Sequence, residues 1–209
     1  MAFSKNVFIN CPFDNTYKRL LHPIIFTIIY SGLEPKISKL EDSGSIRLKQ
    51  IIKLIKESKY SIHDLSRMKS KKSGELARFN MPFELRLDLG TRGIGTSQLK
   101  KKKCLILDVE RYRYQAAISD MSGSDIASYG KRNQVEKIIE KIRDWFTTVL
   151  NPIQPASSML YLEYSEFISD LQIELEELSF NKDDIKKLTN SEYIHYTKKW
   201  ISNRKKSSI

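Results

Sequence analysis

The chain has 209 residues, a formal net charge of +11 at pH 7, and 40% hydrophobic against 29% charged side chains, which suits one substantial α/β domain plus an appendage. It contains neither an apolar run near the ~18 residues of a membrane-spanning helix nor a secretory signal, so we expect a cytoplasmic protein that does not bind a membrane. Cys11 and Cys104 have no CxxC partner and the three histidines show no ligand spacing, which argues against a structural zinc site.

Strand and helix patterns alternate along residues 1–150. Short apolar runs predict strands at 6–11, 34–38, 60–64 and 103–108. Helical spacing predicts a first helix that is capped by Asp14 and ends near Gly32, and a second that starts at Ser43 or Ser45. A third helix is predicted to start near Pro82 and to stop near Gly90 or Gly93. Two more are predicted at 112–118 and 134–149. The alternation predicts an α/β fold, a flavodoxin-like parallel sheet with helices on both faces.

Two prolines in the segment 151–155 end the last of these helices and mark a boundary. Beyond it the pattern is helical only, at 158–178, 182–188 and about 191–203. We therefore predict an α/β domain at 1–150 and a helical C-terminal appendage at 151–209, which either packs on the domain or forms an oligomer contact.

The positive charge is unevenly spread. Residues 150–180 contain six acidic and no basic side chains, whereas residues 181–209 contain eight basic and three acidic ones, which leaves an excess of positive charge in the first 149 residues. Such a surface attracts polyanions in general. A solvated lysine-rich surface explains it more simply, and no nucleic-acid-binding motif accompanies it, so a nucleic-acid partner is possible but not favoured.

Polar segments follow the predicted strands at 10–14, 41–47 and 64–67, and the segment 80–84 opens the helix before the fourth strand. In a flavodoxin-like sheet these segments converge on one rim, where helix N-termini face a ligand. We expect Glu84 on the first turn of its helix. His63 is expected to be a satisfied strand-end histidine, and lysines 100–103 a solvated loop.

The residues 7–13 (VFINCPF), 64–66 (DLS) and 83–85 (FEL) resemble segments of the TIR-like and nucleoside 2-deoxyribosyltransferase-like α/β proteins of bacteria, and the resemblance covers about residues 6–148. It implies cleavage or transfer at an N-glycosidic bond of NAD or a nucleotide, which is the substrate, without a metal or a cofactor. It also implies a role in anti-phage defence as an effector or signal-producing enzyme, with homo-oligomers and a defence-system partner protein.

The resemblance implies that Glu84 is the central catalytic carboxylate and that Asp64 helps the base to leave. A carboxylate beneath the ribose C1′ stabilises or attacks the positive charge that builds there, and an acid with a raised pKa can protonate the base. The other predicted contacts are with the substrate: Phe13 stacks on a base, Asn10 or Asn80 binds ribose hydroxyls, Arg47 or Arg67 pairs with phosphate, and Pro12, Ser66 and Met81 complete the set.

Each of these residues has a structural alternative. A glutamate near a helix start is stabilised by the helix dipole without any catalysis, Asp64 and Ser66 can form an Asx turn, and Phe13 can pack on the first helix. Arg86 also stands where the transferases commonly carry glycine. The alternative function is therefore a non-catalytic nucleotide-sensing or scaffold module.

Overall fold

A computed structural model describes residues 3–38, 47–68, 79–112, 126–150 and 153–207. Within them, five parallel strands form one sheet in the order β2-β1-β3-β4-β5. The strands are β1 (Asn6–Asn10), β2 (Glu34–Ile37), β3 (Tyr60–Asp64), β4 (Lys103–Asp108) and β5 (Ala127–Ser128). This strand order is that of flavodoxin-like folds, which confirms the predicted α/β class.

Seven α-helices lie in the described residues, and four of them alternate with the strands: α1 (Lys18–Tyr30), α2 (Arg47–Lys56), α3 (Asn80–Ile94) and α4 (Gln134–Val149). Three more follow, namely α5 (Ser157–Glu177), α6 (Lys182–Lys187) and α7 (Asn190–Ser207). No helix in these ranges is both long enough and apolar enough to span a membrane.

The two faces of the sheet carry different layers. Successive strand residues point to opposite faces, so Val7, Ile9 and Ile62 join the larger core beneath α1 and α4. On the other face, Phe8 and Ile106 belong to two smaller apolar clusters beneath α2 and α3. Both faces are therefore covered, as a parallel sheet requires.

The helices that follow the predicted boundary extend the larger core. Phe167 of α5 is 1% exposed, and its ring centroid lies 5.5 Å from that of Phe26 on α1 and 5.6 Å from those of Tyr193 and Trp200 on α7. Aromatic rings at these distances add to the energy of burial. The hydrophobic packing of α1, α5 and α7 is thus continuous.

The acidic and basic C-terminal segments pair with each other. Lys199 on α7 contacts Glu174 on α5 at 2.6 Å, and the Trp200 indole N–H donates to Asp170 at 2.8 Å. Arg204 pairs with both Glu163 and Glu166. The opposite charges of residues 150–180 and 181–209 are therefore complementary on two adjacent helices.

The structure differs from the predicted secondary structure in two places, the start of α1 and the strand β5. The helix α1 begins at Lys18, and the Asp14 carboxylate instead accepts the Tyr17 N–H at 3.0 Å in the preceding turn. The strand β5 was not predicted, because two residues make no recognisable apolar run. The helix α3 ends at Ile94, next to Gly93, as predicted. The predicted caps Ser43 and Ser45 and most of the predicted helix at 112–118 lie outside the described residues.

The shared core predicts that Phe167→Ala destabilises the whole fold, because it leaves a large cavity between α1, α5 and α7. We expect the free energy of unfolding to fall by about 3–5 kcal/mol. Leu162→Ala on the same helix is the control, since Leu162 is 62% exposed, and it should cost less than ~1 kcal/mol. Denaturant titration by circular dichroism measures both, and equal effects would contradict a core that includes α5.

Candidate active site at the carboxyl ends of β1 and β3

The order of the strands reverses between β1 and β3, because β2 lies on one side of β1 and β3 to β5 lie on the other. The loops after β1 and β3 therefore diverge, and ligands of open α/β sheets bind in the crevice that this leaves. The start of α3 is tied to this point, since the Asn10 side-chain N–H donates to the Met81 carbonyl at 2.9 Å. The predicted segments at 10–14, 64–67 and 80–84 thus meet.

Glu84 lies in the second turn of α3, four residues after the first helical residue Asn80, and not in the first turn as expected. Its side chain is turned inward and is 3% exposed. Burial raises the pKa of Glu84, and the positive charges of Arg47 and His63 oppose this effect. No residue in the described parts of the chain donates a hydrogen bond to its carboxylate. Glu84 is therefore a desolvated carboxylate at the crevice.

Phe13 and Arg47 form an exposed pair near Glu84. The Arg47 guanidinium is 5.8 Å from the centroid of the Phe13 ring, which is 39% exposed. The same guanidinium is close enough to act on the pKa of Glu84. An exposed ring, an exposed cation and a buried carboxylate thus lie next to one another, as the sequence analysis expected for a base, a phosphate and a sugar.

Cys11 lies between the carboxylates of the rim. It is fully buried directly after β1, with Pro12 buried beside it, and burial raises the pKa of its thiol well above the ordinary range. The negative charges of Asp64, Glu84 and Asp14 raise it further, which places all three near the thiol. Cys11 is consequently a neutral apolar spacer and not a nucleophile.

Asp64 belongs to the face of the sheet opposite α3, with Tyr60 and Ile62. Its carboxylate accepts the Tyr17 hydroxyl at 2.5 Å, the Tyr129 hydroxyl at 3.0 Å and the Ser66 backbone N–H at 2.7 Å. Burial raises the pKa of Asp64, while these hydrogen bonds oppose the rise. The predicted Asx turn is therefore present. Through the two tyrosine hydroxyls, Asp64 at the end of β3 is also connected to the residue after β5 and to the loop before α1.

Arg67 is engaged with the loop after β1. Its Nη1 lies 2.5 Å from Asp14 Oδ1 and donates to Thr16 at 2.7 Å, and its guanidinium lies over the Tyr17 ring. The charge of Arg67 is balanced by Asp14. Arg47 is for this reason the better candidate of the two predicted arginines for a substrate phosphate.

A buried chain of polar groups lies behind Glu84 and was not predicted as a unit. The Lys102 ammonium donates to the carbonyls of Ile55 at 2.7 Å and Ser58 at 2.5 Å, and it lies 3.0 Å from Asp88. Asp88 is 3.0 Å from His63 Nε2, and Asn10 Nδ2 is 3.0 Å from His63 Nδ1. The expectation of a solvated loop at 100–103 is wrong for Lys102, which is 3% exposed.

One sequence signal could have identified this chain of contacts. Asp88 lies four residues after Glu84 on a helix, so both carboxylates share the face that Leu85 buries against the sheet. Burial alone raises the pKa of Asp88, but His63 and Lys102 outweigh it and lower the pKa to about 2. Asp88 is therefore ionised and neutralised in place, whereas Glu84 has no such partner among the described residues.

The ligand atoms of His63, Asp88 and Cys104 lie within 4.8 Å of one another, as in a metal site. The Lys102 ammonium already supplies the positive charge beside Asp88, at 3.0 Å. It would repel a divalent cation at the same carboxylate. We therefore interpret the cluster as an ion-pair network and not as a metal centre.

His63 is coupled to the start of α3 through Asn10. Burial alone lowers its pKa, but Cys104 and Asp88 outweigh this and raise the pKa to about 9. The hydrogen bond from Asn10 Nδ2 requires an unprotonated Nδ1. Asn10 Oδ1 is buried and has no partner in the described residues. A protonated Nδ1 needs an acceptor, so protonation of His63 requires the Asn10 amide to turn until Oδ1 faces the ring. This rotation weakens the hydrogen bond from Asn10 to the Met81 carbonyl.

Comparisons of the chain with models of protein families, with curated proteins and with solved structures found no match. The geometry of the rim and the chemistry of its side chains therefore carry the functional conclusion.

Titration of His63 by nuclear magnetic resonance tests the network. With Asp88 and Cys104 beside it, the ring should remain protonated until the pH approaches about 9. The variant Asp88→Asn should lower this pKa by more than one unit, because it removes the charge that stabilises the imidazolium. Asp170→Asn, on α5, is the matched control and should change nothing. A wild-type ring that loses its proton below the ordinary value of 6.5 would contradict this assignment.

A second prediction concerns Asp64. The variant Tyr17→Phe removes one hydroxyl from a buried carboxylate and should lower the free energy of unfolding by about 1.5–3 kcal/mol. Because the variant also raises the pKa of Asp64, the loss should be larger at pH 7 than at pH 3, where the carboxyl is protonated in the unfolded chain. Tyr161→Phe on α5 is the control. An equal loss at both pH values would show that the hydroxyl does not stabilise a charged Asp64.

Proposed function

We propose that the protein breaks the N-glycosidic bond of NAD or a nucleotide, with Glu84 as the carboxylate beneath the ribose C1′. The observation that carries this proposal is a carboxylate that is buried at the switch point of the sheet and receives no hydrogen bond from the described residues. Such a group is costly unless it meets a positive charge. The oxocarbenium-like ribose of the reaction supplies that charge.

The neighbouring groups suit the rest of such a substrate. The Phe13 ring offers a stacking face for a base or for nicotinamide, and Arg47 offers a cation for a phosphate. In the reaction, the bond between C1′ and the base nitrogen breaks and its electron pair leaves with the base. Water or another nucleophile then forms the new bond to C1′ and gives up a proton.

The chemical nature of the leaving group determines whether the reaction needs a general acid. Nicotinamide departs from NAD as a neutral molecule, so this reaction requires no general acid. That agrees with the surroundings of Asp64, whose carboxylate already accepts hydrogen bonds from two tyrosines. We therefore favour NAD over nucleotides whose base must be protonated to leave.

The resemblance described above extends this proposal to a bacterial anti-phage effector or signal-producing enzyme that works as a homo-oligomer. The second candidate is a nucleotide-sensing or scaffold module without turnover. The engagement of Asp64 favours it, because only one carboxylate of the predicted pair then faces the crevice. Binding of nucleotide without product formation distinguishes this module from the enzyme.

The test is product release from NAD and from a panel of nucleotides, followed by mass spectrometry, with the oligomeric state of each sample measured by light scattering. Glu84→Gln should lower turnover by at least about 100-fold, because it removes the charge that the transition state needs. Glu136→Gln, an exposed carboxylate on α4, should leave turnover unchanged. Absence of product in an assembled sample, or equal turnover by Glu84→Gln, would overturn the proposal.

The pH dependence gives an independent check of the role of Glu84. Only the ionised carboxylate can stabilise positive charge, so turnover should fall as the pH drops through a pKa above the ordinary value of 4.5. Arg47 holds this pKa down, and Arg47→Gln should therefore move the acidic limb of the profile to higher pH. Arg86→Gln, on the exposed side of α3, serves as the control for loss of one positive charge. An acidic limb that does not move would contradict the assigned carboxylate.

A further inference from the structure

A cavity whose lining does not include Glu84 lies between the start of α1 and the helices α5, α6 and α7. Its volume is about 550 Å³, within the range of small-molecule sites. Its lining contains both aliphatic and charged side chains. The aliphatic side chains of Ile168, Leu171 and Leu188 form an apolar part.

Basic residues also line the cavity, and they outnumber the acidic ones. They are Lys18, Arg19, Lys186 and Lys187, against the single carboxylate of Asp183. A cavity lined by both aliphatic side chains and an excess of positive charge is complementary to a molecule with an aliphatic body and an anionic head.

The two cations from α1 keep their net charge. Lys18 Nζ donates to the carbonyls of Lys186 at 3.2 Å and Leu188 at 3.1 Å, and Arg19 Nη2 donates to the side-chain carbonyl of Gln134 at 2.5 Å. All three acceptors are neutral. Neither cation pairs with a carboxylate in the described parts of the chain, whereas Lys186 pairs with Asp183 at 3.3 Å.

His22 adds a polar atom without a partner. Its ring lies parallel to that of Tyr193 at 3.8 Å between centroids, and both residues line the cavity. His22 Nε2 is buried and forms no hydrogen bond with the described residues. Burial and the charge of Lys18 lower the pKa of His22 to about 4, so the ring is neutral near pH 7. A buried nitrogen of this kind costs free energy until something binds it.

We propose that this cavity binds a small organic anion, with an aliphatic body against Ile168, Leu171 and Leu188 and a carboxylate or phosphate near Lys18, Arg19 and His22. An aliphatic body suits the cavity better than a planar aromatic one, because the Tyr193 ring is buried and one of its faces is covered by His22. The site is independent of the proposed reaction. It touches the loop of that site only through Asn15, which lines the cavity next to Asp14.

Isothermal titration with octanoate, octanol and octylammonium tests the proposal on the full chain, because the three probes share a body and differ only in the head. Octanoate should bind at least about tenfold more tightly than octanol, and octylammonium should bind weakest. Lower affinity for octanoate than for octanol, or no octanoate binding at millimolar concentration, would overturn the proposal.

Charge-removing variants locate the binding. Arg19→Gln and Lys187→Gln should each weaken octanoate binding about threefold or more, since each removes one positive charge from the lining. Lys182→Gln, on the same short helix as Lys187 but outside the cavity, should leave affinity unchanged. Octanoate should also raise the pKa of His22 above about 4, measured by nuclear magnetic resonance. Equal effects of the three variants, or an unshifted His22, would contradict binding in this cavity.

Discussion

The buried ion pair between Asp88 and Lys102 fixes the position of α3 on the sheet, and the candidate active site depends on that position. The Lys102 ammonium donates hydrogen bonds to the carbonyls of Ile55 and Ser58, in and just after the last turn of α2, and it pairs with the Asp88 carboxylate at 3.0 Å. Removing one partner of such a pair leaves an uncompensated buried charge, which costs about 3–5 kcal/mol. A shift of α3 along the sheet would separate this pair, so the pair favours the observed register, in which Glu84 lies one helical turn before Asp88.

The same chain of contacts continues to the switch point. From Asp88 it passes through His63 to Asn10, and from Asn10 to the Met81 carbonyl in the first turn of α3. The ion pair of Asp88 with His63 holds α3 against β3 on one side of Glu84, and the Asn10 bond to the Met81 carbonyl, which protonation of His63 weakens, holds it against β1 on the other. A carboxylate held in this way is preorganised, and preorganised charge is the largest single contribution to many enzymatic rate enhancements.

Local patterns were sufficient to predict most of the fold. The apolar runs in β1, β3 and β4 and the helical stripes in α1 and α4 each occur where the sequence predicted them, because covering both faces of a parallel sheet imposes a strong apolar pattern. The strand β5 gave no such signal, because its two residues, which pair with the end of β4, are too few to form a recognisable apolar run. Local patterns also fail at Lys102, because its burial depends on carbonyls and a carboxylate that come from distant segments.

The candidate site was predictable in position but not in detail. Polar residues after parallel strands must meet at one edge, and Asn10, Glu84 and Asp64 do so. Whether each side chain faces the crevice depends on partners that no local pattern reveals. The Tyr17 and Tyr129 hydroxyls donate hydrogen bonds to Asp64, and Arg67 forms an ion pair with Asp14. Glu84 and Arg47 remain without an ion-pair partner in the described residues, and this difference among similar polar residues comes only from the three-dimensional structure.

The most direct test of this account is a crystal structure of the Glu84→Gln variant with intact NAD bound. The account predicts that the ribose C1′ attached to nicotinamide lies about 3–3.5 Å from the side chain of residue 84, with a phosphate near Arg47. NAD bound elsewhere on the protein, or bound in the crevice with this carbon turned toward solvent, would contradict it.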